Sequence, residues 1–543
     1  MKEKLISNIS QCLANLEYPS IEVGIQRPKS PEHGDFASNI ALILAKPLGK
    51  NPREIAEAIK SELQNSFNDN FESIDIAGPG FINFKLKKSV LSDLLLNILS
   101  QDSNYGKSSI GNNKRALVEF VSANPTGPLT VGHGRGAMLG DTVSNILEWN
   151  GYDVQREYYF NNAGRQMRVL GQSVHARYLE LLGEKAELPE GGYEGKYIYD
   201  IAQKVIDEHN NSLVENSEDP IFKNAAEFHI FEDIKSTLSR LGLVFDTFFN
   251  ENTLYENGEI TNVVETLREK KLAYDKEGAT WFAGTTVGRE VDRVLIKSTG
   301  EPTYRLPDIA YHKDKFSRGY DLMVDVFGAD HMDAYPDVMA AIDNLGFDSE
   351  KVKVLIHQFV TIMRDGNPVK MSTRKANFVT LDELINEVGA DVVRYFFIMR
   401  GMNSHLNFDL DLAKDQSDEN PVFYLQYAHA RVCNIIKRGE AFDHPLNPQC
   451  DLSLLDKEIE HQLIQKLSEL PEIIERAHSS LEPQTVANYL NELAILFHRY
   501  YAQEKVVTDD KALTAARLIL VEATRIVFLN GLTIMGISAP ERM

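Results

Sequence analysis

At 543 residues the chain has room for several domains of roughly 100 to 200 residues each, and 43% hydrophobic with 25% charged residues is the balance of a globular protein rather than a disordered or collagen-like one. Its 57 Lys and Arg against 79 Asp and Glu give a formal net charge of -22, which argues against indiscriminate nucleic-acid binding through a global positive field and leaves room for a local basic track. No apolar run nears the roughly 18 to 20 residues of a membrane span, MKEKLISNISQC lacks a secretion-signal core, and Cys12, Cys433 and Cys450 are too scattered for a thiolate zinc site and too few for a disulfide framework, so a cytoplasmic location is expected.

Helical periodicity falls at residues 1–16, 36–48 and 52–63. An alternating stretch follows through 74–76 and 81–86 around Ala77-Gly78-Pro79-Gly80, so 1–105 reads as a small α+β domain. QDSNYGKSSIGNNK, 101–114, has the composition of a linker. Next come a strand at 115–121, a glycine loop, a helix from about 133 to 150 and a strand at 153–160. That is a βαβ unit, which predicts a right-handed crossover in a mainly parallel sheet. Residues from about 165 to 272 are polar and helical and read as an insertion; strand patterns at 291–296, 322–327 and 352–359 predict that the sheet resumes. Beyond Glu419-Asn420-Pro421, helical spacing at 422–439, 456–479, 485–501 and 511–536 predicts a helical bundle.

The glycine loop is SANPTGPLTVGHGRG, 122–136. A glycine-rich loop between a parallel strand and a helix lets backbone amides and the helix dipole approach an anion, most naturally a nucleotide phosphate. Gly132-His133-Gly134-Arg135-Gly136 fits neither GxGxxG nor GxxxxGK[ST], which disfavours hydride transfer and ordinary ATPase chemistry. Thr130-Val131-Gly132-His133 resembles the first signature of class I aminoacyl-tRNA synthetases, and the flanking ANPTGPL and GHGRGAMLGD are similar to the arginyl-tRNA synthetase branch. Val369-Lys370-Met371-Ser372-Thr373-Arg374-Lys375 resembles the second signature.

The resemblance implies an α/β protein: a Rossmann-like parallel-sheet catalytic domain at 112–375, an N-terminal α+β domain, a connecting segment at 376–415 and a C-terminal α-helical anticodon-binding bundle at 416–543. It implies attack of an amino-acid carboxylate on the α-phosphate of ATP, where charge builds on phosphoryl oxygens and is met by positioned donors and cations. Thr130 and Thr373 stand where the common signatures carry His and Lys. The catalytic load is therefore expected on His133, Thr130, Lys370 and one of Arg374 or Lys375, with ATP against Gly132, His133, Gly136, Met371, Ser372, Asp330 and His331. No metal-ligand set is expected; Mg2+ is expected on the ATP phosphates.

A guanidinium is best held by carboxylates. The family's amino-acid-binding positions fall on Glu119 and Asn124 at the end of the first strand, on Tyr304 and Asp308, four apart and expected on one helix face, and on Glu251. Each acid taken alone is more often a surface charge or a cap. NPVFYLQYAHAR, 420–431, and the closing GLTIMGISAPERM are similar to the family's anticodon-binding bundle. Tyr427, Arg431 and Tyr501 are its expected RNA contacts, by stacking and backbone pairing; periodicity alone would place Tyr427 in the bundle core. HGDFASN and GPGFINF resemble the added N-terminal domain that meets the tRNA corner near the D-loop, with Asn83 as its contact.

The implied partners are L-arginine, ATP and tRNA(Arg), with no membrane, and the expected state is a monomer. The resemblance further implies that the 2'-hydroxyl of the terminal adenosine is the first acceptor and that tRNA is required even for activation. Two alternatives stand beside ligation of arginine to tRNA: a class I ligase for another amino acid, and a catalytically silent tRNA-binding relative. A small-molecule nucleotidyltransferase would leave the helical C-terminal region unexplained.

Overall fold

A computed structural model describes residues 2–28, 33–67, 70–369 and 379–543. In the N-terminal domain β1 (Phe36–Ser38), β2 (Phe71–Ala77) and β3 (Phe81–Leu86) form an antiparallel sheet in the order β1-β3-β2. The helices Lys2–Asn15, Ile40–Leu48 and Pro52–Phe67 accompany it. The helix expected from residue 36 begins only at Ile40, because Phe36, Ala37 and Ser38 are all buried and pair with Phe84, Asn83 and Ile82. Three buried residues before a helix carry no period of their own, so the sequence pattern merges them with it.

The expected linker is a pinned segment rather than a free one. It follows a helix, Lys88–Gln101, that buries Val90, Leu91, Leu95 and Ile98 and packs against the helix Lys511–Ile534. From that second helix Asn530 Nδ2 donates to the carbonyls of Asp102 at 2.9 Å and Tyr105 at 3.0 Å.

The central sheet contains β4 (Arg115–Glu119), β5 (Asp153–Phe160), β6 (Thr247–Asn250), β10 (Leu322–Gly328) and β11 (Val352–His357). Its order is β11-β10-β4-β5-β6, and every pair is parallel. Chain order runs outward from β4 to β6 on one side and from β10 to β11 on the other. The switch point therefore lies between β4 and β10, whose carboxyl ends should open onto a ligand crevice. The helix Val131–Trp149 packs closely beneath: a side chain at Gly140 would overlap the ring of Phe120.

Two expectations need correcting. The stretch expected as an insertion, 165–272, does contain the helices Gly164–Leu181, Lys196–His209 and Pro220–Arg240, but it also contains β6, one of the two edge strands of the central sheet. Four half-buried residues paired along one edge leave no alternation to read. The apolar run near 291–296 does not rejoin that sheet. It forms β9 (Arg293–Ile296), which pairs antiparallel with β8 (Ala279–Phe282), itself paired with β7 (Ala273–Lys276). Periodicity marks a strand but does not choose its partner.

Downstream, β12 (Val360–Arg364) lies between β13 (Asn367–Pro368) and β14 (Leu406–Asp409). The C-terminal helices are Pro421–Ala441, Glu458–Leu467, Leu470–Ser480, Gln484–Gln503 and Lys511–Ile534. The single helix expected over 456–479 breaks before Pro471, which lacks the N–H an unbroken helix would need. Buried Arg394 ties this bundle to the helices around the central sheet: its guanidinium donates to Met535 O at 3.1 Å, to Leu241 O at 2.6 Å and to the Asp141 carboxylate. Among the described residues no helix is long and apolar enough to cross a membrane.

Candidate functional site

At the carboxyl ends of β4 and β10 the molecule opens a cavity of about 750 Å³, bordered by the glycine loop, the end of β5 and the start of the helix Arg305–Ser317. Thr130 is extended at the amino end of the helix Val131–Trp149, and its backbone N–H donates to Nδ1 of His133 at 3.1 Å. Nδ1 is thereby an acceptor, which puts the imidazole proton on Nε2. Burial lowers the His133 pKa, against the pull of Asp330, so the ring is a neutral donor. Among the described residues a Cβ at Gly132 would meet only Thr130 Oγ1, at 3.6 Å, whereas one at Gly136 would press on His357 Nε2 at 3.0 Å. Packing thus accounts for Gly136 but not for Gly132, whose missing side chain keeps the cavity open. His357 itself is pushed down to about 4, first by burial, with Arg135 adding to it against the Gln358 carbonyl.

Glu119, at the end of β4, is buried; its Oε1 accepts from Ser122 Oγ at 2.9 Å and its Oε2 from Lys315 Nζ at 2.6 Å. The chain turns away just after it through Val121 and Ser122, at φ +69° and +44°. A β-branched residue in the left-handed region is costly and marks a place where the surroundings hold the backbone in position. Asn124 follows, its Oδ1 accepting from the Asn161 N–H at 2.9 Å and its Nδ2 donating to Gln166 at 3.2 Å.

Glu251 comes to the same cavity from the end of β6, accepting from Tyr159 Oη at 2.7 Å, Asn161 Nδ2 at 2.8 Å and Tyr255 Oη at 3.2 Å. Burial raises its pKa against these hydrogen bonds. Asp308, in the first turn of the helix Arg305–Ser317, is pushed up to about 7, chiefly by burial, with Glu119 and Glu251 adding to it against His312 and Lys315. Tyr304 lies one residue before that helix, 84% exposed at the cavity rim. The fold thus gathers Glu119, Glu251 and Asp308, 189 residues from first to last, into one acidic receptor suited to a cationic guest.

Of the expected ATP-binding residues, Gly132, His133, Gly136 and Asp330 line the cavity. His331 closes the turn Ala329–His331, but its side chain is outside the described residues, as are Lys370, Met371, Ser372, Thr373, Arg374 and Lys375. Sequence reasoning missed Tyr159, Asn161, Tyr311, His312 and His357, all of which line the cavity, and Lys315 beneath it. For the helix residues a signal existed: positions 304, 308, 311, 312 and 315 repeat at helical spacing. Among the described residues no group of three or more His, Cys, Asp or Glu is placed to hold a metal.

A second cavity of about 610 Å³ opens in the C-terminal bundle and brings Tyr427, Arg431 and Tyr501 together. The Arg431 guanidinium lies 4.3 Å from the Tyr427 ring centroid and 4.8 Å from that of Tyr501, and it donates to Tyr427 Oη. Its other arm meets His498 Nδ1 at 3.1 Å. Tyr427 is half-buried at this surface, not a core residue. Asn83, by contrast, sits within β3 between Ala37 and Asp75 and is 8% exposed, which leaves little of it to meet a partner.

Comparison with known proteins gives three family matches that together span most of the chain. They are the arginyl tRNA synthetase N terminal domain at 3–86, the tRNA synthetases class I (R) catalytic domain at 94–396 and the DALR anticodon binding domain at 425–543. The chain is 48% identical to the arginine–tRNA ligase of Salinibacter ruber, over 100% of both chains. It is 50% identical to that of Desulfotalea psychrophila, over 96% of this chain and 94% of the relative. Among solved structures, the Thermus thermophilus arginyl-tRNA synthetase shares the fold, with a TM-score of 0.79 at 21% identity over the whole of both chains.

Proposed function

The chain belongs to the arginyl-tRNA synthetase family, and from that premise we propose how its residues divide the ligation of arginine to tRNA(Arg). The observation that carries the reading is the single cavity that joins the His133 loop to the acidic receptor of Glu119, Asp308 and Glu251. Arginine lies with its guanidinium between Asp308 and Glu251, beside Tyr304, and its α-amine toward Glu119 and Asn124. Its carboxylate is thereby aimed at ATP, which lies along Gly132, His133, Gly136, Asp330 and His331.

A carboxylate oxygen attacks the α-phosphorus, the bond to pyrophosphate breaks, and arginyl-adenylate forms. His133 donates from Nε2 to the phosphoryl oxygens as their charge grows, with the Thr130 hydroxyl beside it. Lys370 and one of Arg374 or Lys375 supply the cationic donors, and Met371 and Ser372 lie against the ATP. Magnesium arrives as part of the ATP substrate, on its phosphates. The 2'-hydroxyl of the terminal adenosine then attacks the arginyl carbonyl, and AMP leaves.

Tyr427, Arg431 and Tyr501 hold the anticodon, and Asn83 lies on the domain that meets the tRNA corner. The division of labour follows 1–105 for that corner, 112–375 for catalysis, 376–415 for connection and 416–543 for the anticodon. The enzyme acts as a monomer in the cytoplasm and requires tRNA even for activation.

Arginine-dependent exchange of pyrophosphate into ATP, with and without tRNA(Arg), tests the reading in the unaltered protein and in His133→Ala. Exchange that needs tRNA and is lost in the variant is the expected result. Exchange without tRNA removes only the tRNA requirement. No exchange from a folded protein that binds tRNA replaces the reading with that of a silent relative.

A further inference from the structure

Lys315 is fully buried beneath the acidic receptor, on the face of the helix Arg305–Ser317 that also carries Asp308 and Tyr311. Its Nζ donates to Glu119 Oε2 and to Asp325 Oδ1, each at 2.6 Å, and lies 4.3 Å from the centroid of the Tyr311 ring. Asp325, on β10, also accepts from His312 Nε2 at 2.9 Å. Desolvating such a cluster is expensive, and an apolar replacement of the same volume is often no less stable. Its presence therefore asks for a reason other than stability. Glu119 gives that reason, being the carboxylate of the cluster that also lines the cavity.

We propose that Lys315 is a positioning residue of the amino-acid site: it holds the Glu119 carboxylate ionised and turned to receive the α-ammonium of arginine. The inference rests on the reading of the cavity as an arginine-activating site. Burial pushes the Glu119 carboxyl up from its ordinary value and Lys315 opposes that push. Lys315 in turn is held protonated against its own burial by Asp325 and Glu119. Without the ammonium, both burial and the nearby Asp325 charge favour a neutral Glu119, which has no charge to offer an incoming ammonium. Ser122 fixes one oxygen of Glu119 and Lys315 the other, so losing Lys315 also frees the carboxylate to rotate.

The rival account makes Lys315 a structural counter-ion for Asp325 alone. Lys315→Met and the double variant Lys315→Met/Asp325→Asn separate the two, because the double variant removes one charge of each sign yet still denies Glu119 its partner. Pyrophosphate exchange in the presence of tRNA would give KM for arginine and KM for ATP, and thermal melting would report the fold. Lys315→Met is expected to raise KM for arginine about thirtyfold or more, the scale for a buried charge left unpaired. KM for ATP should stay within about twofold. In the double variant the melting temperature recovers and KM for arginine remains high. A double variant with restored KM for arginine, or a folded single variant with unchanged KM, overturns the proposal in favour of the structural counter-ion. If Lys315→Met does not fold, the double variant decides by itself. An unaltered protein without arginine-dependent exchange overturns the activation reading and this inference with it, before any substitution is made.

Discussion

The Nδ1 atom of His133 accepts the backbone N–H of Thr130 at 3.1 Å, so the ring must meet a ligand as a donor through Nε2. Burial lowers its pKa and favours the neutral ring, and a donor already in place costs little reorganisation where charge develops on a phosphate. His133→Ala should therefore lower kcat for pyrophosphate exchange by roughly 10²- to 10³-fold, the scale for removing one such donor. Steady-state kinetics at saturating arginine, ATP and tRNA measure it. A loss confined to KM would mean that His133 binds ATP without serving the transition state.

Asp308 is pushed up to about 7, by burial first and also by its acidic neighbours, so arginine binding at the proposed site should depend on pH. A guanidinium binds the ionised carboxylate, so binding releases a proton from whatever fraction is still protonated. That fraction falls from about nine tenths at pH 6 to about one tenth at pH 8, so affinity should rise about tenfold across the window and level off above it. Glu251, also raised by burial, acts in the same direction. Calorimetric titration of arginine in buffers from pH 6 to 8.5 measures the slope. Asp308→Asn should bind weakly with a flatter profile, and affinity that falls as pH rises would remove Asp308 from the guanidinium site.

The Arg431 guanidinium lies over two aromatic rings at the bundle surface, 4.3 Å from the Tyr427 centroid and 4.8 Å from that of Tyr501. Tyr427→Ala should weaken tRNA binding by about 1 to 3 kcal/mol, the usual worth of one base stack. Tyr427→Phe keeps the ring and should lose much less. Aminoacylation at varied tRNA concentration distinguishes them: KM for tRNA should rise in the alanine variant while KM for arginine holds. Equal losses in both variants would point to the hydroxyl bond with Arg431 instead of stacking.

Gly132 and Gly140 lie on one helix but have different reasons to be glycine. A Cβ at Gly140 would overlap Phe120 beneath the sheet, whereas one at Gly132 has, among the described residues, only Thr130 Oγ1 near it, at 3.6 Å. Gly140→Ala should cost about 1 to 3 kcal/mol of stability through overpacking. Gly132→Ala should melt like the unaltered protein and raise KM for ATP. Thermal melts paired with exchange kinetics measure both; a destabilised Gly132→Ala would show that packing, not ligand approach, keeps that position bare.

Much of this molecule is readable locally. The strand at Asp153–Phe160, the glycine loop into a helix and the helical C-terminal region all follow from periods of two and three to four residues, which the backbone imposes on neighbouring side chains. Motif order, from Gly132-His133 to Tyr427 and Arg431, carries the family resemblance along the chain. The misread segments, β1 at Phe36–Ser38 and β6 at Thr247–Asn250, are too short to establish a period, and their identity as strands depends on partners elsewhere. The acidic receptor shows the same division. Asp308 and Glu251 are named through the resemblance of their stretches to a family, and their meeting with Glu119 depends on parallel strands laid beside one another and a helix packed across them. Lys315, a charged side chain in a polar-looking helix, reads as a surface residue until the fold buries it between Glu119 and Asp325. The sequence alone determined the longer elements and the chemical groups they carry, because those depend on contacts between near neighbours. Only the tertiary structure decided which groups share a cavity and which charges lose water, because burial is set by every element packed around a side chain and not by its place in the chain.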